Sequence, residues 1–96
     1  MRMATAAAVG LLSIAAATAA FAEPPAGAAS CSGCHPSSAR VSSPVPRLMG
    51  MDRAAIVKAM QDFRSGQRAG TVMDRIAKGF TDDEIQAIAA WFATQK

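Results

Sequence analysis

Both cysteines and the single histidine of this 96-residue chain fall in one stretch, Cys31-Ser32-Gly33-Cys34-His35. Two thiols three positions apart beside an imidazole suit four kinds of chemistry. They can clip a metal, cycle as a dithiol and disulfide, form a structural bridge, or tether a haem by adding to its two vinyl groups while the imidazole binds iron. A structural zinc site needs about four protein ligands, and a catalytic one three plus water. No second Cys/His cluster is present to complete such a set. A redox Cys-x-x-Cys pair belongs beside a βαβ pattern, and no alternating strand pattern occurs. A bridge between Cys31 and Cys34 would close almost no chain, so it would constrain the unfolded state little. The haem reading uses every thiol and imidazole, and it is the reading the stretch favours.

An iron bound by His35 would need a second axial ligand or an open site. No other His exists, and Met is the usual partner of His in electron-transfer haems of this kind. Met49 and Met51 flank Gly50 at the end of a loop, where packing is the expected role. Met60 lies on the apolar stripe of a helix and reads as core filler. Met73 follows a loop containing Gly and Arg and lies about 100° around the helix from the face shared by Val72 and Ile76. It is the expected ligand. A ligating His donates its other ring N–H to a carbonyl or carboxylate, and the carbonyl of Pro46 is a candidate acceptor. Gln67 or Arg68 could meet a haem propionate.

The elements that must position these groups are short. Residues 1–22 run from Arg2 through an alanine-rich apolar stretch to Ala20-Phe21-Ala22, the order of a secretory leader cleaved after Ala22. An uncleaved N-terminal anchor is the alternative, near the lower length limit for a membrane span. Cleavage would leave residues 23–96 as one domain of 74 residues, with nine basic and seven acidic side chains. That mild positive charge is far from a nucleic-acid-binding signature. A chain this short rarely builds a sufficient core without a staple, and a large flat apolar cofactor would supply one.

Residues 23–29 read as an extended lead-in turning into a short helix. Residues 36–50 carry Pro36, Pro44, Pro46 and four serines, so they form a loop. Residues 52–64 predict a helix with Ile56, Ala59, Met60 and Phe63 at helical spacing, ended by Ser65-Gly66. Residues 65–70 are a second loop, and 71–78 a short helical turn stopped by Gly79. Thr81-Asp82-Asp83-Glu84 is a capping box opening a last helix with Ile85, Ile88, Ala89 and Phe92 as its apolar stripe. Trp91 lies beside that stripe, and Lys96 is expected at the negative end of the helix.

With these motifs in view, the chain resembles a class I c-type cytochrome over nearly all of residues 23–96. The likeness rests on the helix leading into CSGCH, the V-P-R-L-M-G loop, the methionine segment and a last helix ending in an aromatic pair. It implies an all-α fold of three to four short helices around one covalently bound haem. Cys31 and Cys34 would be the attachment sites, His35 and Met73 the iron ligands, and Pro46 the residue whose carbonyl holds His35. It also implies a helix crossing of Gly27 and Ala28 against Trp91 or Phe92. The stretch DFRSGQRAGTVMDRIAKGFTDDEIQAIAAWFA is similar to the cytochrome subunit of flavocytochrome c sulfide dehydrogenases. That similarity implies a periplasmic electron-transfer subunit, not an enzyme by itself, which accepts electrons from a sulfide-oxidising FAD flavoprotein and passes them to a downstream redox protein. A freely diffusing periplasmic carrier is the alternative. A haem enzyme or sensor with an open iron site is a third possibility and requires that Met73 not bind iron.

Overall fold

The chain folds as short helices joined by long loops, α1 (Ala28–Cys31), α2 (Arg53–Ser65), α3 (Met73–Ile76) continued by a 3-10 turn (Ala77–Gly79), and α4 (Asp82–Ala93). The computed structural model describes residue 10 and residues 23–96; apart from Gly10, the expected leader and its cleavage position lie outside the described residues. No strand occurs among the described residues, as the all-α expectation requires. No helix among them is long and apolar enough to cross a membrane.

The two long helices are fixed by their caps. The Asp52 side chain accepts from the Ala55 amide at 3.2 Å, so α2 begins one residue later than its first acidic residue suggests. Gly66, at φ 82°, ends it in the left-handed conformation that glycine tolerates best. At the start of α4 the Thr81 hydroxyl accepts from the Glu84 amide at 3.2 Å, and the Glu84 carboxylate accepts from the Thr81 amide at 3.0 Å. The capping box is formed in full. Lys96 falls beyond the last helical residue, Ala93, so α4 has no basic residue in its final turn.

Helix α2 packs against α4, and α3 with its 3-10 extension packs against α2. Ile85, Ile88, Ala89 and Phe92 are buried on α4, and the last three cluster with Ile56 from α2 and Ala28 from α1. Arg64 joins the end of α2 to the start of α4. One guanidinium nitrogen donates to the Phe80 carbonyl at 3.1 Å and another pairs with the Asp82 carboxylate.

Two expectations about packing need correction. Gly27 approaches Phe80 and Ile88, not Trp91: a Cβ there would lie 2.6 Å from Phe80 Cε1 and 3.3 Å from Ile88 Cδ1. Ala28 does share its cluster with Phe92. The reason is that α1 begins only at Ala28, so Gly27 caps it at φ 89° and faces the strand-like residue that leads into α4. The second concerns Val72. It precedes α3, with a non-helical backbone at φ −134°, so Val72 and Ile76 are not partners on one helical face set apart from Met73. All three line the same cavity.

Candidate functional site

That cavity is the chemical centre of the molecule. It has a volume of about 680 Å³ and is walled mainly by apolar side chains of α2, α4 and the two loops. Cys31, Cys34, His35, Pro46, Arg68 and Met73 all line it. Gln67, the alternative to Arg68 as a propionate partner, does not.

Local backbone hydrogen bonds explain how CSGCH is presented. The His35 amide donates to the Cys31 carbonyl at 2.9 Å and the Cys34 amide donates to the same oxygen at 3.2 Å. The stretch is therefore a helical turn leaving α1, with the thiols and the imidazole on one side of the cavity. Both thiols are unbridged. Burial pushes the Cys31 thiol above its ordinary value, against smaller opposing effects from hydrogen bonds of its own backbone and of Ser30. A redox-active cysteine has the opposite character, a depressed value in an electropositive setting. Among the described residues no three His, Cys, Asp or Glu side chains converge to hold a metal ion, so a metal clip of those donors has no geometric support.

The imidazole is oriented from outside the turn. His35 Nδ1 lies 2.5 Å from the Pro46 carbonyl oxygen. A carbonyl can only accept, so Nδ1 carries the proton and Nε2, across the ring, keeps its lone pair for a metal. Pro46 is held in turn by its neighbour: Arg47 Nε donates to the Ser37 carbonyl at 2.7 Å. The far end of the loop is moored where the Gly50 amide donates to the Phe92 carbonyl at 3.0 Å.

Other lining residues come from the second loop and α3. Met73 is half-buried at the first residue of α3. Arg68 lies with its guanidinium carbon 4.9 Å from the centre of the Phe63 ring, a cation–π contact. Met51 and Met60 also line the cavity, while Met49 does not. Met49, Met51 and Met60 pack against the buried core as well. Met60 reads as core from the stripe it shares with Ile56 and Phe63; that it and Met51 also line the cavity is what the structure adds.

The residues present fit a haem. Two thiols three positions apart, an imidazole with a free Nε2 and a thioether face one apolar cavity of a size that suits a cofactor. Ile56, Ile85 and Ile88 belong both to its wall and to the buried core. A flat apolar group there would thus extend a core in which, among the described residues, Ile56, Ile85, Ile88 and Phe92 are the only large buried side chains.

Known proteins agree. No protein-family model matches the chain. It is 44% identical over 63 residues to the cytochrome subunit of sulfide dehydrogenase from Chlorobaculum tepidum, covering 66% of this chain and 57% of that one. It is 38% identical over 65 residues to the thiosulfate dehydrogenase electron acceptor of Stutzerimonas stutzeri, covering 66% of this chain and 30% of that one. The chain thus spans well under two thirds of either relative. Cytochrome c-554(548) of Halomonas halodenitrificans is 31% identical over 70 residues, 69% of this chain and 84% of its own length. With that match across nearly a whole relative, helices in the expected order and thiols, imidazole and thioether around one cavity, this chain belongs to the class I c-type cytochromes and its cofactor is haem c.

Proposed function

We propose that the chain is an exported one-electron carrier in which Cys31 and Cys34 bind a single haem covalently, His35 ligates its iron through Nε2, and Met73 supplies the second axial ligand. The observation that carries this reading is the His35 Nδ1 to Pro46 hydrogen bond, made at the edge of a cavity that also collects Cys31, Cys34 and Met73. When bound, the haem supplies an iron that alternates between ferric and ferrous forms, at a potential that a His/Met pair raises.

The side chains make and break no bond in that step. Pro46 keeps the His35 tautomer and ring orientation the same in both redox states. The apolar wall keeps water from the iron, which favours the less charged, reduced form. Arg68, on the wall beside Phe63, is the candidate counter-charge for a propionate. Residues 1–22 are a leader cleaved after Ala22, which delivers residues 23–96 to the periplasm as one cytochrome domain.

In this reading the electron donor is an FAD flavoprotein that oxidises sulfide, supported by the likeness to the Chlorobaculum subunit. Each two-electron oxidation would be drained in two one-electron transfers to the single haem, with a downstream redox protein reoxidising the chain after each. A freely diffusing carrier is the second reading, favoured by the match to most of the length of the Halomonas cytochrome. Purification from native extract separates them. Comigration with a flavoprotein through gel filtration is the expected result; an isolated monomeric cytochrome would sink the subunit reading and leave the free carrier. Intact mass of the purified chain tests the rest. It should correspond to residues 23–96 plus one haem.

A further inference from the structure

Two glycines bracket the loop that leads to Met73, and they are glycines for different reasons. Gly66 has a left-handed backbone, and a Cβ there would meet nothing within 4 Å. Its role is conformational. Gly70 is the reverse: no left-handed backbone requires it, but space does. A Cβ at Gly70 would lie 2.9 Å from Cε1 and 3.2 Å from Cδ1 of Phe63, and 3.3 Å from Cβ of Met73.

The Phe63 ring is half-buried on the cavity wall. It projects from the last turns of α2, and the Arg68 guanidinium stacks on it at 4.9 Å. Arg68 is itself fixed, its amide donating to the Asp62 carbonyl at 3.1 Å. The loop therefore folds back over the end of α2 and rests on the ring where Gly70 has no side chain. Met73 cannot shift independently either, since its Cβ is part of the first residue of α3. Phe63, Arg68, Gly70 and Met73 line the same cavity.

We propose that Gly70 and Phe63 are positioning residues for Met73: direct contact between the Gly70 backbone and the Phe63 ring sets how far the Met73 thioether reaches into the cavity. The proposal rests on Met73 being the second axial ligand. Sites of this kind need their ligating atoms held within about 0.5 Å, and an added methyl at Gly70 would displace the ring or the start of α3 by a comparable amount.

The haem-loaded protein tests this, with two readouts: reduction potential and the rate at which the reduced protein takes up carbon monoxide, which requires the sixth position to open. Gly70→Ala should accelerate uptake by about tenfold or more and lower the potential. Adding Phe63→Leu, which removes the nearest ring atom, should bring both back toward the parent. Failure of the second substitution to do so would overturn the contact as the cause. If Gly70→Ala leaves both readouts unchanged while Met73→Ala opens the iron, the positioning proposal is wrong and the ligand assignment stands. If Met73→Ala itself changes neither, the ligand assignment fails and takes the proposal with it. Should Gly70→Ala yield no haem-loaded protein, Phe63→Leu alone decides: removal of the loop's support must accelerate uptake, and an unchanged rate overturns the proposal.

Discussion

The helical half and the loop half of this molecule are held by different means. In α2 and α4, order comes from side chains of regular period: Ile56 on one, Ile85, Ile88, Ala89 and Phe92 on the other, with Asp52 and Thr81 closing the helix starts. In the loops, order comes from a few hydrogen bonds aimed at backbone atoms: His35 on Pro46, Arg47 on Ser37, and Gly50 on Phe92. The residues expected to touch haem belong mostly to the second group. A rigid scaffold thus carries the chemistry on segments whose conformation is set one contact at a time. Substitutions in one half should move stability and leave the iron unchanged, and substitutions in the other should do the converse.

The division breaks at the tether, where the largest effect is expected. Cys31→Ser with Cys34→Ser should abolish covalent haem, visible as loss of the haem mass, and should remove most of the helical circular dichroism, because the cofactor completes a small core. Phe92→Ala, in the helical half, should cost about 3–5 kcal/mol in denaturant unfolding while the surviving holoprotein keeps its visible spectrum. Met73→Ala should show the opposite pattern: rapid carbon monoxide binding and a lowered potential, with a smaller change in stability. A spectrum that changes with Phe92, or a stability loss at Met73 as large as at Phe92, would show that the two halves are not separable.

Thr81→Ala should cost about 1 kcal/mol with no spectral change. The smallest effect is that of pH on the same cap. Glu84 is held below its ordinary carboxylate value, chiefly by the hydrogen bond from the Thr81 amide and then by the Thr81 hydroxyl. A depressed folded value means that its contribution is present above the unfolded value of about 4.3 and is lost as pH falls through the folded one. Urea midpoints measured across that window should therefore fall less steeply in Glu84→Gln than in the parent.

The same contrast explains what could be read before the structure. The start and the buried face of α4 are legible because its capping box and its period are both local, but its end is not: Lys96, expected at the negative end, lies beyond Ala93. CSGCH stands out in the sequence because it holds both thiols and the only imidazole, and the free carbonyl of Pro46 is a candidate acceptor for His35, a hydrogen bond the structure contains. Met73 is one of four methionines in residues 23–96, and its place on the cavity wall is what the structure adds. What escaped depends on where a helix starts. Helical spacing puts Val72 on a face that begins only at Met73, and nothing in the sequence shows that the chain brings Phe80 to Gly27. Phe63 read as core, and no period in the sequence shows that Gly70 lies against its ring or that Arg68 stacks on it.

In the proposed ligand set, the clasp formed by Arg64 with Phe80 and Asp82 bears on how Met73 would reach the iron. His35 is adjacent to its tether, whereas Met73 lies 38 residues further along the chain. By pinning the ends of the segment between α2 and α4, Arg64 turns that long search into the closing of a short loop. Halving a loop's length changes its closure entropy by only about 0.6 kcal/mol, so the gain lies less in length than in direction. The segment bearing Met73 lines the cavity, and in the proposed ligation its thioether would have a high effective concentration there before any bond to iron formed.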